Sequence, residues 1–286
     1  MCAEDQRLIR MRPILFYGPL GLPLYAYGAM LFLSVVFGRL VALRLAERDG
    51  LDAKLMDRCC LWTLAGALVG ARLLFVVTSW DQLEGAADIF AWWKGGVVAY
   101  GGFLGGFLGS VLFCRIHRVP ILAWADCAAP SLCLGLLITR IGCFLAGCDY
   151  GQPWDGPWAV RFPAGSIAFQ EQTLQGLLPA GATQSLAVHP TQLYESLAGL
   201  VLLALVMAVR RRRKVSGEAV MAFFIGYAVL RYFIEIVRAD LHRGFIGPFS
   251  TSQFIALATF AMAAASAYVL RRGRPQFLHS HPDVTI

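Results

Sequence analysis

Apolar residues in this chain gather into long runs rather than short stripes. Seven runs approach or reach the roughly 20 residues that a helix needs to cross a bilayer core. They cover residues 24–45, 59–79, 97–113, 121–138, 192–209, 219–237 and 251–270. The pattern predicts an all-α, polytopic membrane protein with about seven transmembrane helices, forming a single integral membrane domain over 1–286. Asp126 and Pro130 interrupt the fourth run, and the sixth ends in charge. The longest connection, 139–190, carries Trp154, Trp158 and Phe162 among Gly and Pro. It reads either as an interfacial lid with aromatics at headgroup depth or as a surface loop. No internal repeat stands out, which weakens a repeat-built transporter.

Composition agrees with the pattern. Of 286 residues, 58% are apolar and only 15% are charged, against a usual share of about 25% charged. Such a balance excludes a soluble enzyme, a disordered chain and a disulfide scaffold. Cys59, Cys60, Cys114, Cys127 and Cys133 lie in or beside apolar runs, so no disulfide framework is expected. The N-terminal stretch 1–13 is mixed polar and has no compact apolar segment, so no cleavable signal peptide is expected. Residues 276–286 read as a disordered tail, with His279 and His281 exposed to solvent rather than binding metal.

The net charge of +7 matters through its distribution. Basic residues cluster at Arg44 to Arg58, Arg115 with Arg118, Arg210 to Lys214 and Arg271 to Arg274, between the apolar runs. A nucleic-acid binder would collect them on one soluble face, so no nucleic-acid partner is expected. The opposite set of connections holds only Arg7, Arg10, Arg12, Lys94, Arg161 and Arg243. The excess of Lys and Arg on cytoplasmic loops then places the N-terminus and 139–190 outside and the C-terminus in the cytoplasm.

Several ionisable residues fall where a bilayer would make them expensive, which marks them as inward-facing. Arg72 lies in the second run and Asp126 in the fourth. Arg231, Glu235 and Arg238 are spaced i, i+4, i+7, one helix face. Two readings stay open: an internal salt-bridge network, or a cationic pocket for an anionic headgroup with Glu235 orienting the guanidiniums. Arg suits phosphate because its planar fork donates two parallel hydrogen bonds. The string Arg140-Ile141-Gly142-Cys143 … Gly147-Cys148-Asp149-Tyr150-Gly151 would let backbone amides approach an anion. Its Cys143/Cys148 spacing departs from the x2 spacing usual in zinc sites, so no metal is expected. His189–Glu195 begins the fifth run with Pro190 at the helix start. Gly95-Gly96 and Tyr100 to Gly106 crowd the third run with glycine. They serve close helix packing or wall a cleft that admits lipid, with Tyr100 projecting into it.

Together these strings resemble the phosphatidylglycerol–prolipoprotein diacylglyceryl transferase family. The likeness extends from Tyr27-Gly28 to Ser252-Gln253, and the string from Arg140 to Gly151 looks like the family signature. The sequence departs from the family where Tyr100 replaces a usual His, and where Cys143 and Cys148 replace Asn and Glu. The resemblance implies a multi-pass enzyme of the bacterial cytoplasmic (inner) membrane that needs no cofactor. Its partners would be phosphatidylglycerol, other membrane lipid, and the signal peptide of a prolipoprotein bearing the lipobox cysteine. Arg140 and Arg231 would bind phosphate, with Glu235 and Tyr27 positioning them. Tyr100 would be an acid/base or headgroup-holding element. Gly95, Gly101, Cys143, Gly151 and Arg238 would contact substrate. An ordinary phenol, with a pKa near 10, is a poor base at neutral pH, which favours the headgroup role. A lipid-transporting protein, or a family member that binds precursors without modifying them, are the alternatives.

Overall fold

Eight helices carry most of the residues described by the computed structural model, which are 13–18, 21, 23–83, 85–91, 95–239 and 244–273. They are α1 (Ala26–Arg48), α2 (Ala53–Thr78), α3 (Ala99–Ile116), α4 (Ile121–Ala146), α5 (Ile167–Leu174), α6 (Thr191–Arg212), α7 (Glu218–Val237) and α8 (Thr251–Arg272). All except α5 are long and apolar enough to cross a membrane. Each of the seven expected spans therefore has its helix. Two short antiparallel hairpins were not anticipated: β1 (Ile14–Tyr17) with β2 (Pro23–Tyr25), and β3 (Phe245–Ile246) with β4 (Phe249–Ser250). Residues 1–12 of the segment read as lacking a signal peptide lie outside the described residues. So do the 276–286 tail, His279 and His281.

Local chemistry sets the helix ends. Asp52 caps α2 by accepting the Lys54 and Leu55 amides at 2.7 and 3.2 Å. Ser250 and Gln253 form a reciprocal capping box at the start of α8. The fourth helix corrects the sequence reading. Pro130 removes one amide donor, yet α4 continues through it to Ala146. Residues 139–146, expected in the long connection, are thus helical. The stop comes at Gly147, whose φ of +76° suits glycine. Its amide and that of Cys148 both return to the Cys143 carbonyl, at 2.9 and 3.2 Å.

The chain divides into two compact units, Met1–Gly38 with Ala128–Ile286, and Arg39–Cys127. In the first unit α7 packs against both α6 and α8. The start of α6, the end of α7 and the start of α8 consequently share one end of the bundle. The end of α6, the start of α7 and the end of α8 share the other. Ser196 of α6 donates to the Leu137 carbonyl of α4 at 2.9 Å. The 147–190 connection packs a small core of Tyr150, Val160, Phe162, Ala168 and Val188 onto Phe144 of α4. Isolated bridges pair Gly151 with Arg238, and both Pro153 and Val160 with Val188. Phe162 is 0% exposed, so it belongs to this core. The packed core makes this connection more than a bare surface loop, and it leaves Trp158 exposed on its surface.

The second unit is organised by the α2–α3 pair. Gly66 and Gly70 of α2 meet Gly101, Gly105 and Gly109 of α3 backbone to backbone. A Cβ on Gly105 would stand 2.9 Å from the Gly70 Cα, and one on Gly109 would stand 2.7 Å from the Trp62 carbonyl oxygen. Arg72 is buried in this unit. Its guanidinium donates to the carbonyls of Ile89 (3.0 Å), Gly95 (2.5 Å), Gly96 (2.8 Å) and Asp88. Gly95 and Gly96 have φ near +80°, so glycine lets their carbonyls turn toward it.

Candidate active site

Three arginines and three carboxylates of the first unit converge at the end shared by α4, α6, α7 and α8. Arg140, three residues before Cys143 on α4, pairs with Asp149 at 2.9 Å and, through Nε, with Glu195. Arg231 on α7 reaches Glu195 at 3.1 Å and Glu235 at 2.8 Å. Arg238 reaches Glu195 at 3.2 Å and also Asp149. Glu195 thus touches all three guanidiniums. Serine hydroxyls complete the cluster: Ser252 accepts from Arg231 at 3.2 Å, and Ser250 donates to Glu235 at 3.0 Å.

The first turn of α6 builds this arrangement. Thr191 and Gln192, both fully buried, donate to the carbonyls of Asp149 and Cys148 at 2.6 Å each. Those bonds fix the residues after α4, and one helical turn later Glu195 points at the arginines. Asp149 has φ +57°, a left-handed conformation rare outside glycine but tolerated by Asp. Burial pushes the Asp149 carboxyl up, but Arg238 and Arg140 outweigh it and hold the group below the usual carboxylate range. Beside it, the Cys143 sulfur and burial push the Cys148 thiol up. Trp154 stacks on His189 with ring centres 4.3 Å apart, and burial lowers the His189 pKa.

Accessibility falls steeply across the cluster. The side chain of Asp149 is 30% exposed and that of Arg140 21%, whereas Glu195 and Glu235 are 5% and 2% exposed. The Asp149–Arg140 edge is thus the accessible side of the cluster. Of the two readings left open by the sequence, the salt-bridge network is present: each guanidinium has two carboxylate partners. Local spacing could not show this, because Arg238 and Asp149 are 89 residues apart and Arg231 and Glu195 are 36 apart. The helix face drawn through Arg231, Glu235 and Arg238 also changes. Helix α7 ends at Val237, and Arg238 adopts extended backbone as its cap.

The other expected site residues take definite places. The Tyr27 Cα would stand 3.2 Å from a Cβ on Gly142, so this glycine lets α1 and α4 meet closely. Gly151 pairs its amide with the His189 carbonyl at 2.9 Å, and a Cβ there would meet His189 at 2.5 Å. Close backbone pairing is what requires glycine at 151. Cys143 is buried one turn from Arg140, with its Sγ 3.9 Å from the guanidinium. The ligand atoms of Cys143, Cys148 and Asp149 lie within 4.8 Å of one another. The helix stop at Gly147 folds position 148 back on 143, so the x4 spacing is no bar to metal ligation. The Asp149 oxygens, however, are already engaged by Arg140 and Arg238. Gly95, Gly101 and the exposed Tyr100 belong to the second unit. There the Gly95 carbonyl holds Arg72, and Gly101 forms part of the α2–α3 seam.

A family model described as prolipoprotein diacylglyceryl transferase matches residues 13–269. Curated relatives named phosphatidylglycerol–prolipoprotein diacylglyceryl transferase are similar over nearly the same stretch. One from Gloeobacter violaceus is 32% identical over 250 residues, covering 86% of this chain and 88% of its own. A protein with that name from Synechococcus elongatus is 32% identical over 257 residues, covering 87% and 85%. A second transferase of Clostridium perfringens is 31% identical over 238 residues, covering 83% and 87%. With the match running through all seven apolar helices and every member of the charged cluster, the chain belongs to the prolipoprotein diacylglyceryl transferase family.

Proposed function

We propose that this enzyme transfers the diacylglyceryl group of phosphatidylglycerol to the lipobox cysteine thiol of a prolipoprotein, the first step of bacterial lipoprotein maturation. It would act as a multi-pass protein of the bacterial cytoplasmic membrane, with the charged end of the first unit facing outward. The sulfur of the acceptor forms a thioether to the glyceryl carbon. The bond from that carbon to the phosphate oxygen breaks, and its electron pair leaves with glycerol phosphate. The thiol proton is lost on the way, since the thiolate is the nucleophile and free cysteine ionises near pH 8.5.

The observation that carries the reading is the convergence of Arg140, Arg231 and Arg238 on one partly accessible, otherwise buried point. The leaving phosphate gains charge as its bond breaks, and preorganised donors in a dry site stabilise that change most. In this reading Asp149, the most accessible carboxylate of the cluster, occupies the place of an anion in the resting enzyme. The lipid phosphate displaces it and takes over the Arg140 contact. Glu195 and Glu235, deeply buried, keep the guanidinium planes oriented throughout. Asp149 also accounts for a departure from the family pattern. The carboxylate usual at position 148 is absent, and its neighbour supplies one instead. Tyr27 and Cys143 flank Arg140.

Purified enzyme with labelled phosphatidylglycerol and a lipobox peptide tests the proposal. The expected result is label on the peptide cysteine with release of glycerol phosphate. Movement of intact lipid would instead make this a transporter, and peptide binding without labelling would make it a non-catalytic relative.

A further inference from the structure

At the opposite end of the first unit a second feature remains after the reaction has been accounted for. A cavity of about 720 Å³ lies among the end of α6, the α6–α7 connection and the end of α8. Its α6 wall is Leu205, Ala208, Val209 and Arg212, spaced i, i+3, i+4, i+7. That is one helix face, and it runs from apolar to cationic toward the helix end. Lys214 and Arg271 add two more cations at the mouth. The lone carboxylate there, Glu218, is already satisfied by the Arg271 guanidinium at 2.9 Å and the Lys214 amide at 2.8 Å. Among the described residues no ion pair holds the exposed side chains of Arg212 or Lys214.

A cluster of arginines at a helix end is ordinary for a membrane protein. A cavity whose wall grades from aliphatic to cationic along a spanning helix is more than that. An aliphatic chain fits Leu205, Ala208 and Val209 at membrane depth, and a phosphate anion fits Arg212 and Lys214 at the surface. The volume falls in the range of small-molecule sites. We infer that this cavity binds one anionic phospholipid, its acyl chain along the α6 face and its phosphate between Arg212 and Lys214. The site is separate from the transferase centre, which lies at the other end of the same helices, and it does not depend on the assignment of that centre.

Phosphatidylserine, which is anionic but is not the proposed donor, serves as the probe. Purified protein in zwitterionic micelles is titrated with it and the bound lipid is counted by native mass spectrometry. The double variant Arg212→Gln/Lys214→Gln is expected to weaken retention of one phosphatidylserine about thirtyfold. This corresponds to about fivefold for each cation near a membrane surface. Ala208→Trp, which fills the apolar wall without touching charge, is expected to remove the same lipid while leaving transferase turnover unchanged. Excess inorganic phosphate is expected not to displace it. Equal retention by the wild type and either variant would overturn the inference. Displacement by inorganic phosphate alone would overturn it as well, by reducing the site to a phosphate site. So would the absence of any retained lipid, the outcome if the chain's own C-terminal residues fill the cavity.

Discussion

The charged cluster of the first unit and the glycine seam of the second solve the same problem in opposite ways. Both must hold helices together where lipid is as apolar as any side chain, so burial of apolar surface contributes little. The cluster uses long side chains whose tips meet: three guanidiniums and three carboxylates drawn from α4, the residues after it, α6 and α7. The seam depends mainly on backbone, since Gly66, Gly70, Gly101, Gly105 and Gly109 bring two main chains into contact, with one Thr63–Ser110 hydroxyl bond beside them. A buried ion network is weak evidence for stability, because desolvation offsets attraction. Backbone contact in the seam has no such offset. On the proposed function, the seam carries fold while the cluster spends its electrostatics on chemistry.

Substitutions in the cluster should therefore show first in turnover. Arg140→Ala and Arg231→Ala are expected to reduce transfer by about 100- to 1,000-fold, the usual effect of removing one preorganised donor. The variants should still insert and purify from membranes. Near-normal turnover in either would end the phosphate role for that residue.

Substitutions in the seam should do the reverse. Gly105→Ala places a methyl against the Gly66 carbonyl and the Gly70 Cα. Overpacking typically costs about 1–3 kcal/mol, occasionally more. Lower thermal stability in detergent is expected, with turnover per folded molecule preserved. Gly101→Ala puts the contrast to a sharper test, because the resemblance gives this glycine a substrate contact. A drop in turnover without loss of stability would return Gly101 to the substrate site.

Tyr100→Phe is the next smaller effect. A headgroup hydrogen bond is worth about 1.4 kcal/mol, roughly tenfold in rate. A loss of 100-fold or more would make the hydroxyl an acid/base group instead. Unchanged turnover would leave it neither role.

These contrasts also show which parts of the molecule local sequence could reveal. The helices were legible because each is a long apolar run, and the Arg231–Glu235 pair because i, i+4 neighbours share a face. The glycines of α3 stood out in the sequence, but whether they packed a helix or walled a cleft stayed open, because their partners Gly66 and Gly70 lie on another helix. Glu195 and Asp149 were not legible, since their partners come from distant segments and Glu195 reads locally as an ordinary helix start. The extension of α4 was hidden by Pro130 and by the glycines of 139–151, only one of which, Gly147, ends the helix. The core of the 147–190 connection left a faint trace in the alternation of Val160 and Phe162, too short to outweigh the surrounding Gly and Pro.

The smallest predicted effects are in pH. The Asp149 carboxyl is held below its ordinary value by Arg238 and Arg140 against the opposing effect of burial. Its contribution to stability is therefore complete above about pH 4, the unfolded value, and is lost as pH falls through the lower folded value. Thermal stability of the wild type should show that loss only in strong acid, and Asp149→Asn should remove it. Burial lowers the His189 pKa, so the unfolded chain takes up a proton first, near pH 6.5. Stability should fall slightly as pH drops below that value, and His189→Asn should flatten the slope.

On the proposed function, the arginine cluster acts on the phosphate as it leaves, beyond any part it has in binding the lipid. Separate kcat and KM values for Arg140→Lys, measured against phosphatidylglycerol with a saturating lipobox peptide, test it most directly. Lysine keeps the charge but loses the planar fork that meets two oxygens at once. The expected result is a kcat lowered about tenfold or more with KM for the lipid nearly unchanged. A raised KM with an unaltered kcat would contradict it, because the cluster would then contribute equally to substrate and transition state.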